Sequence, residues 1–315
     1  MYNTIIISAG SIGALKPDKY DSPLTENILT HAHAVYNNDE LKLIGIVDKD
    51  LKKAKKAGDK WSCFHYGNIN ECKDKIDIVV CAVNTEYHKE VMKQIIQIDP
   101  RIVIAEKPLT NSHKDCKYII DFYEKHGIPI AVNFPRRYIP EIQNLMISLR
   151  KRKIQNINVQ YVRGFQRDAC HAIDLLNQFL GEYKDGWILN VEKILDNPDD
   201  ATLTAHLIYD KCDNVILQGC NGKHYSVFDI KIMVDNGLIE IKSHSSVVSF
   251  YGLKATEYGN FKSLDYGFDG FYTSMNKHLI YLYKNVVNHL KHKEKLICTG
   301  ADALKVQRIY KEIGL

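Results

Sequence analysis

Through the first half of the chain, short apolar, β-favouring runs alternate with longer stretches whose apolar positions recur at helical spacing. The runs are Thr4–Ile7, Leu41–Val47, Ile76–Val83, Ile102–Ala105 and Ile128–Val132. Continuous Ile/Val strands are buried on both faces, as in a parallel sheet covered by helices. Helices are expected at Leu24–Tyr36, Leu51–Asp59, Tyr87–Ile98 and His113–His126, and they supply the crossovers that parallel neighbours need. The first of these is expected to be capped by Ser22, with Pro23 at its first position. Residues 1–133 therefore predict a doubly wound α/β domain of Rossmann type.

After Pro135 the pattern changes. Glu141–Arg152 predicts a helix, Asn156–Val162 a strand, and His171–Leu180 a second helix stopped by Gly181. From Leu189 to about Phe250 strands dominate, punctuated at Asn197-Pro198, Asn221-Gly222 and Asn236-Gly237. The last pair, between Ile230–Val234 and Leu238–Ile241, predicts a hairpin. Helices return at Tyr272–Lys291 and Gly300–Ile313. Residues 134–315 are thus expected to form an α+β domain built on an open-faced sheet.

Composition adds limits. With 315 residues, 45% hydrophobic and 25% charged, the chain has ordinary globular values. The net charge of +4 is too small and dispersed to point to nucleic acid. The Lys-rich stretch Lys49–Lys60 reads as a solvated helix face. Eight cysteines without a C-x-x-C pair suggest neither a zinc site nor a disulfide framework. The opening residues read as a buried strand, not a signal peptide. No stretch approaches the roughly eighteen apolar residues of a membrane span. A reducing, cytoplasmic setting is expected, with no metal.

Candidate chemistry begins directly after the first strand, at Ser8-Ala9-Gly10-Ser11-Ile12-Gly13. This is a G-x-G-x-x-G loop with Ser8 in the first glycine position. Such a loop needs a tight turn and close backbone approach to a pyrophosphate, with amide donors aimed at it. Alone it could equally be a structural turn. The second strand ends in Asp48, placed to accept hydrogen bonds from the adenosine ribose. A carboxylate there favours NAD over NADP, while Lys49, Lys52 and Lys53 weaken that preference. The stretch Lys16–Asp21 reads as an extra loop, leaving open which helix terminus faces the pyrophosphate.

Glu106-Lys107-Pro108-Leu109 lies at the carboxyl end of the expected strand Ile102–Ala105, the sheet edge where ligands bind. Pro108 would fix an extended backbone and so aim the Lys107 ammonium, although an ordinary exposed lysine is the simpler reading. His171 and Asp174 share one helix face. A histidine titrating near neutrality can move a proton at a substrate oxygen, though a satisfied structural histidine is the alternative. Cys170 has no basic cluster and receives no role.

The glycine loop, Asp48, Asn84-Thr85-Glu86-Tyr87-His88, Glu106–Leu109, Asn133-Phe134-Pro135-Arg136-Arg137-Tyr138 and His171-Ala172-Ile173-Asp174 stand in the order and spacing of one family. Over nearly its whole length the chain resembles the Gfo/Idh/MocA oxidoreductases. The resemblance implies an active site in a cleft between a Rossmann domain and a sheet domain. Lys107 would lie by the nicotinamide and substrate hydroxyl, His171 would relay a proton, and Asp174 would support it or contact the substrate. Ser8, Gly10, Ser11, Ile12, Gly13, Asp48, Asn84, Thr85, His88, Glu106 and Lys107 would hold the cofactor, with Glu106 near the nicotinamide ribose. Arg136 and Arg137 would face the cleft.

One position departs from the family. An aspartate commonly stands four residues before the histidine, and here that position is Arg167. Asp168 could take its place only if the backbone shifts. Arg163 and Arg167 would then suit a carboxylate or phosphate on the substrate, or pair with Asp168 or Asp174. The expected function is hydride transfer between NAD(P) and a carbinol or carbonyl carbon of a sugar, sugar derivative or nucleotide sugar, in a homodimer or homotetramer. A catalytically silent nucleotide-binding regulator or scaffold is the alternative. An enzyme reducing a non-sugar carbonyl or imine is a third reading.

Overall fold

Strand β1 (Tyr2–Ile7) is a run of four buried residues, Thr4 to Ile7, with apolar side chains packed on both sides of the sheet. It pairs in parallel with β2 (Leu41–Val47) on one side and with β4 (Ile78–Cys81) on the other. Strands β3 (Phe64–Tyr66), β5 (Ile102–Glu106) and β6 (Ile130–Asn133) complete a parallel sheet of order β3-β2-β1-β4-β5-β6. The order reverses between β1 and β4, and in such sheets a crevice opens at the carboxyl ends of those strands. Ile5, Ile6, Ile46, Ile78, Val79 and Ile104 are fully buried, each stabilising the fold by about 1.5–3 kcal/mol.

These coordinates are a computed structural model that describes residues 1–192, 200–267 and 269–315. The expected turn at Asn197-Pro198 lies outside the described residues. The helices of the sheet domain are α1 (His31–Tyr36), α2 (Leu51–Trp61), α3 (Thr85–Ile95) and α4 (His113–Lys125). The chain divides into two units, Met1–Tyr138 with Asn276–Leu304, and Ile139–Met275 with Lys305–Leu315. The first unit thus takes in α7 (His278–His292), from far along the sequence.

The first helix departs from expectation. It spans only His31–Tyr36, and its cap is Thr30, whose side chain accepts from His33 N–H. Ser22 and Pro23 lie in turns, and Leu24 is 96% exposed. A single turn after the glycine loop, Ala14 N–H to Gly10 O, begins the helix. The chain then leaves on an excursion, and the helix resumes with His31 N–H donating to Ile12 O and Ala32 N–H to Gly13 O. The excursion is held by buried Asp21, which accepts from Leu29 N–H, Thr30 Oγ1 and His33 Nδ1 at 2.8 Å each.

The second unit contains α5 (Pro140–Leu149), β7 (Ile154–Tyr161) and α6 (Cys170–Phe179). Its eight-stranded mixed sheet adds β8 (Tyr183–Glu192), β9 (Thr202–Tyr209), β10 (Cys212–Gly219), β11 (Phe228–Val234), β12 (Gly237–Lys242) and β13 (Val247–Tyr251). A small hairpin of β14 (Leu253–Ala255) and β15 (Lys262–Leu264) precedes β16 (Asp269–Tyr272), the other edge strand of the large sheet. The expected hairpin forms, but its two-residue loop is Asp235-Asn236. Gly237, at φ +151°, is already paired with Val234. Tyr272 ends a strand instead of starting a helix. The final helix is α8 (Gly300–Glu312). Among the described residues no helix is long and apolar enough to cross a membrane.

Candidate active site

The glycine loop keeps its shape without its first glycine. Ser8 adopts φ +93°, the region that favours glycine, and its Oγ accepts from Gly10 N–H at 3.2 Å. Gly13 is indispensable for another reason: a Cβ there would lie 2.0 Å from Ser8 O. Among the described residues, the amide N–H groups of Ser11, Ile12 and Gly13 meet no protein acceptor. They stand where the turn could present them to an anion.

Asp48 follows β2, and its carboxylate is fixed from two sides. Oδ2 accepts from Ala9 N–H at 2.8 Å and Oδ1 from Asp50 N–H at 2.9 Å. Each oxygen keeps further lone pairs for a ribose hydroxyl. A pocket of about 580 Å³ opens here. Of the residues expected at a cofactor, Ser8, Gly10, Asp48 and Asn84 line it, and Lys49, Lys53, Asn68 and Tyr87 join them. The Asp48 carboxylate in its lining, its size and the open amides of the glycine loop fit the adenosine diphosphate portion of a dinucleotide. Thr85 opens α3 at the same sheet edge.

His88 sits elsewhere. It is 1% exposed, and its two ring nitrogens lie 3.0 Å from Leu109 O and Val83 O. It braces the segment after β4 against the segment after β5. Burial holds it below its ordinary value, against the opposing pull of the carbonyl oxygens.

Glu106 ends β5 and is the centre of a buried polar chain. Its Oε1 receives His31 Nε2 at 2.9 Å and Asn133 Nδ2 at 2.7 Å, while His31 Nδ1 lies 2.9 Å from Tyr283 Oη. Burial alone would raise the Glu106 carboxyl. Hydrogen bonding and attraction from His31, the Asn133 amide and the charge of Lys107 outweigh it and keep the group below its ordinary value. Lys107 follows directly, half-buried, and the peptide joining it to Pro108 is cis. An ionised carboxylate and a lysine thus stand together at the ligand edge of the sheet.

His31 and Tyr283 escaped sequence reasoning. They lie 252 positions apart, and neither belongs to a spacing motif. The sequence marks only that two histidines, His31 and His33, open the resumed helix.

The arginines after β6 lie in the turn Pro135–Tyr138. Arg137 is 7% exposed, with Nη1 3.0 Å from Asp302 Oδ1 and 3.4 Å from Ile297 O. The structure thus engages Arg137 in an ion pair within its own unit. Arg136 is likewise buried.

In the second unit α6 carries His171 and Asp174 on one face, with Asp174 1% exposed and the His171 ring edge-on to Phe228. A turn of π-helix, Phe165–Ala169, leads into α6, a feature often found at functional sites. It holds Arg167 and Asp168. Asp200 supports the turn, accepting from Gln166 N–H and Arg167 N–H at 2.8 Å. Burial raises Asp200, opposed by those backbone donors and reinforced by Asp168. Asp168 Oδ2 accepts from Arg163 Nε at 2.8 Å. Of the pairings open from sequence, Arg163 with Asp168 is formed.

Residues 27–134 match a family model described as an oxidoreductase family with NAD-binding Rossmann fold, Gfo/Idh/MocA. The match begins beyond the glycine loop. No curated protein sequence matches the chain. Solved structures do. UDP-N-acetylglucosamine 3-dehydrogenase GnnA from Acidithiobacillus ferrooxidans aligns with TM-score 0.74 and 15% identity, over 99% of this chain and 96% of its own. The WlbA dehydrogenase from Bordetella pertussis, in complex with NADH and UDP-GlcNAcA, aligns with TM-score 0.76 at 15% identity and the same coverage. An oxidoreductase from Agrobacterium radiobacter, in complex with NAD+, L-tartaric acid and magnesium, aligns with TM-score 0.73 and 16% identity over 99% of this chain and 96% of that one. At these identities the likeness is one of fold.

Proposed function

We propose that this chain, whose residues 27–134 match the model of an oxidoreductase family with NAD-binding Rossmann fold, transfers a hydride between NAD(P) and a carbinol or carbonyl carbon of a sugar-like substrate. The observation that carries the proposal is the pair Glu106 and Lys107 at the carboxyl end of β5, on the same sheet edge as the pocket at Asp48. When bound, the nicotinamide supplies the hydride acceptor or donor. The chain's own task is to orient it and to manage the proton.

In the oxidative direction the carbinol O–H loses its proton as the C–H pair leaves as hydride, and a carbonyl remains. Lys107 is the group proposed to hold the substrate oxygen and take part in that proton's movement. His171, with Asp174 behind it, is the proposed relay. General acid–base help of this kind is worth roughly 10²–10⁴ in rate. Asp48 binds the adenosine ribose in this reading and favours NAD. Arg163 and Arg167 remain the proposed contacts to an anionic substrate group, with Arg136, Arg137 and Asp168 the other proposed substrate residues. Similarity to a UDP-N-acetylglucosamine dehydrogenase and to a protein crystallised with UDP-GlcNAcA makes nucleotide sugars the first class to try.

The test is NADH formation at 340 nm across polyols, sugars, sugar acids and nucleotide sugars, with NAD+ and NADP+ in parallel. Lys107→Ala and His171→Ala should still bind NADH while turnover falls at least about 100-fold. Near-normal turnover in both variants would overturn the roles. A second reading has one observation in its favour: Arg167 occupies the usual aspartate position, and the neighbouring Asp168 is engaged by Arg163. Nucleotide binding with no absorbance change on any substrate would favour a silent regulator.

A further inference from the structure

The first helix of this Rossmann domain is cut after one turn. Its macrodipole would ordinarily help bind a dinucleotide's diphosphate, but aligned peptide dipoles sum only along a continuous helix. Here the chain departs at Leu15 and returns at His31. We propose that the excursion compensates with a side chain: Lys16 binds the cofactor diphosphate, as a cation built into the glycine loop. The inference rests on the cofactor reading above.

Three observations support it. Lys16 Nζ already reaches the loop, donating to Ser11 Oγ at 3.2 Å. Ser11 opens the turn whose amides, at Ser11, Ile12 and Gly13, have no acceptor among the described residues. The ammonium therefore lies at the turn that carries the open amides. Second, the backbone of Lys16 is held by a neighbour on α2. Lys60 Nζ donates to Lys16 O at 2.9 Å and pairs with Asp18 at 2.9 Å. Trp61 Nε1 donates to Ala14 O at 2.8 Å, fixing the point where the excursion departs.

Third, the nearby charges are arranged to leave Lys16 available. Asp18 is engaged by Lys60, and Asp21 faces inward onto Leu29, Thr30 and His33. Among the described residues, Lys16 Nζ has no carboxylate partner within ion-pair distance. Among the described residues the partner of this ammonium is a neutral serine hydroxyl, and a phosphate oxygen, which carries the opposite charge, is the stronger acceptor for it. Ser11 Oγ, released from Lys16, becomes a further donor to the same group.

Isothermal titration of the full chain with NADH and with adenosine, which lacks the diphosphate, separates the outcomes. Lys16→Met should weaken NADH binding about tenfold and leave adenosine binding unchanged. Its NADH affinity should also fall less steeply with added salt than that of the unaltered protein. Lys16→Arg should retain most of the affinity. Equal NADH affinity in Lys16→Met overturns the assignment alone. Equal loss of NADH and adenosine overturns it too, because the damage is then to the fold of the pocket. No NADH binding by the unaltered protein overturns the cofactor reading, and the assignment with it.

Discussion

A methyl group at Gly13 would lie 2.0 Å from the Ser8 carbonyl oxygen, whereas one at Gly10 would lie 3.2 Å from the rotatable Ser8 Oγ. The two glycines of the loop are therefore unequal. Gly13→Ala must displace backbone and should destabilise by about 1–3 kcal/mol and abolish NADH binding. Gly10→Ala should unfold at nearly the wild-type urea midpoint. Equal midpoints for both variants would contradict this account of the loop. His88 makes a pH prediction. Its folded value lies below the ordinary 6.5, so below about pH 6.5 the unfolded chain takes up a proton that the folded chain refuses. Stability contributed by His88 is then complete near neutrality and falls as the pH drops from about 7 toward 5. Glu106, also shifted down, acts in a separate window. Its contribution is complete above the ordinary 4.5 and is lost as pH falls further. Urea unfolding at pH 7.5 and 5.5 should show a smaller pH difference in His88→Asn than in the unaltered chain. An unchanged difference would remove His88 as its source.

Elements whose burial follows from their own residues were legible in the sequence. Strand β2 spans Leu41–Val47 as expected, and β1 and β5 differ from expectation by two residues and one, because uninterrupted Ile/Val runs suit a two-sided parallel strand. Strand β3 was missed: it has three residues at the sheet edge, and Phe64 is 67% exposed, so no apolar run marks it. The helix expected at Leu24–Tyr36 shrank because residues up to Thr30 are held by side-chain hydrogen bonds to Asp21, which have no periodicity to read. The strand-end positions of Asp48, Glu106 and Lys107 were legible because strand ends can be located from the runs before them. His31 and Tyr283 were not, since only the folded chain joins them. The excursion's dependence on Asp21 is testable. Its carboxylate is fully buried and serves Leu29, Thr30 and His33. Asp21→Ala strands those donors and should cost about 3 kcal/mol, read as a lower midpoint in urea unfolding. A loss below about 0.5 kcal/mol, the range of ordinary surface substitutions, would show that the excursion is held by other contacts.

The sequence order of the whole molecule hides the composition of its first unit. Residues 276–304 belong with residues 1–138, and they fill specific places there. Tyr283 completes the chain of hydrogen bonds to His31 and Glu106. Thr299 bridges to Ala131, Cys298 O accepts from Val132 N–H, and Asp302 pairs with Arg137. Leu279, Leu282, Val286 and Cys298 are all completely buried. A chain ending at Tyr138 loses all of these at once and exposes the sheet edge and the face of α1 that α7 covers. It should therefore lack a cooperative urea transition and bind NADH poorly. Helix α7 packs on the turn Pro135–Tyr138, and the closure entropy of a flexible Gly/Ser linker from Tyr138 to Asn276 grows only slowly with its length. The single chain made in this way, residues 1–138 linked to 276–304, should unfold in one transition and bind NADH. If the shorter chain, 1–138, unfolds as cooperatively and binds NADH as tightly, the late segment is dispensable. The polar chain through Tyr283 would then be an ornament of the cofactor site and not a condition for it.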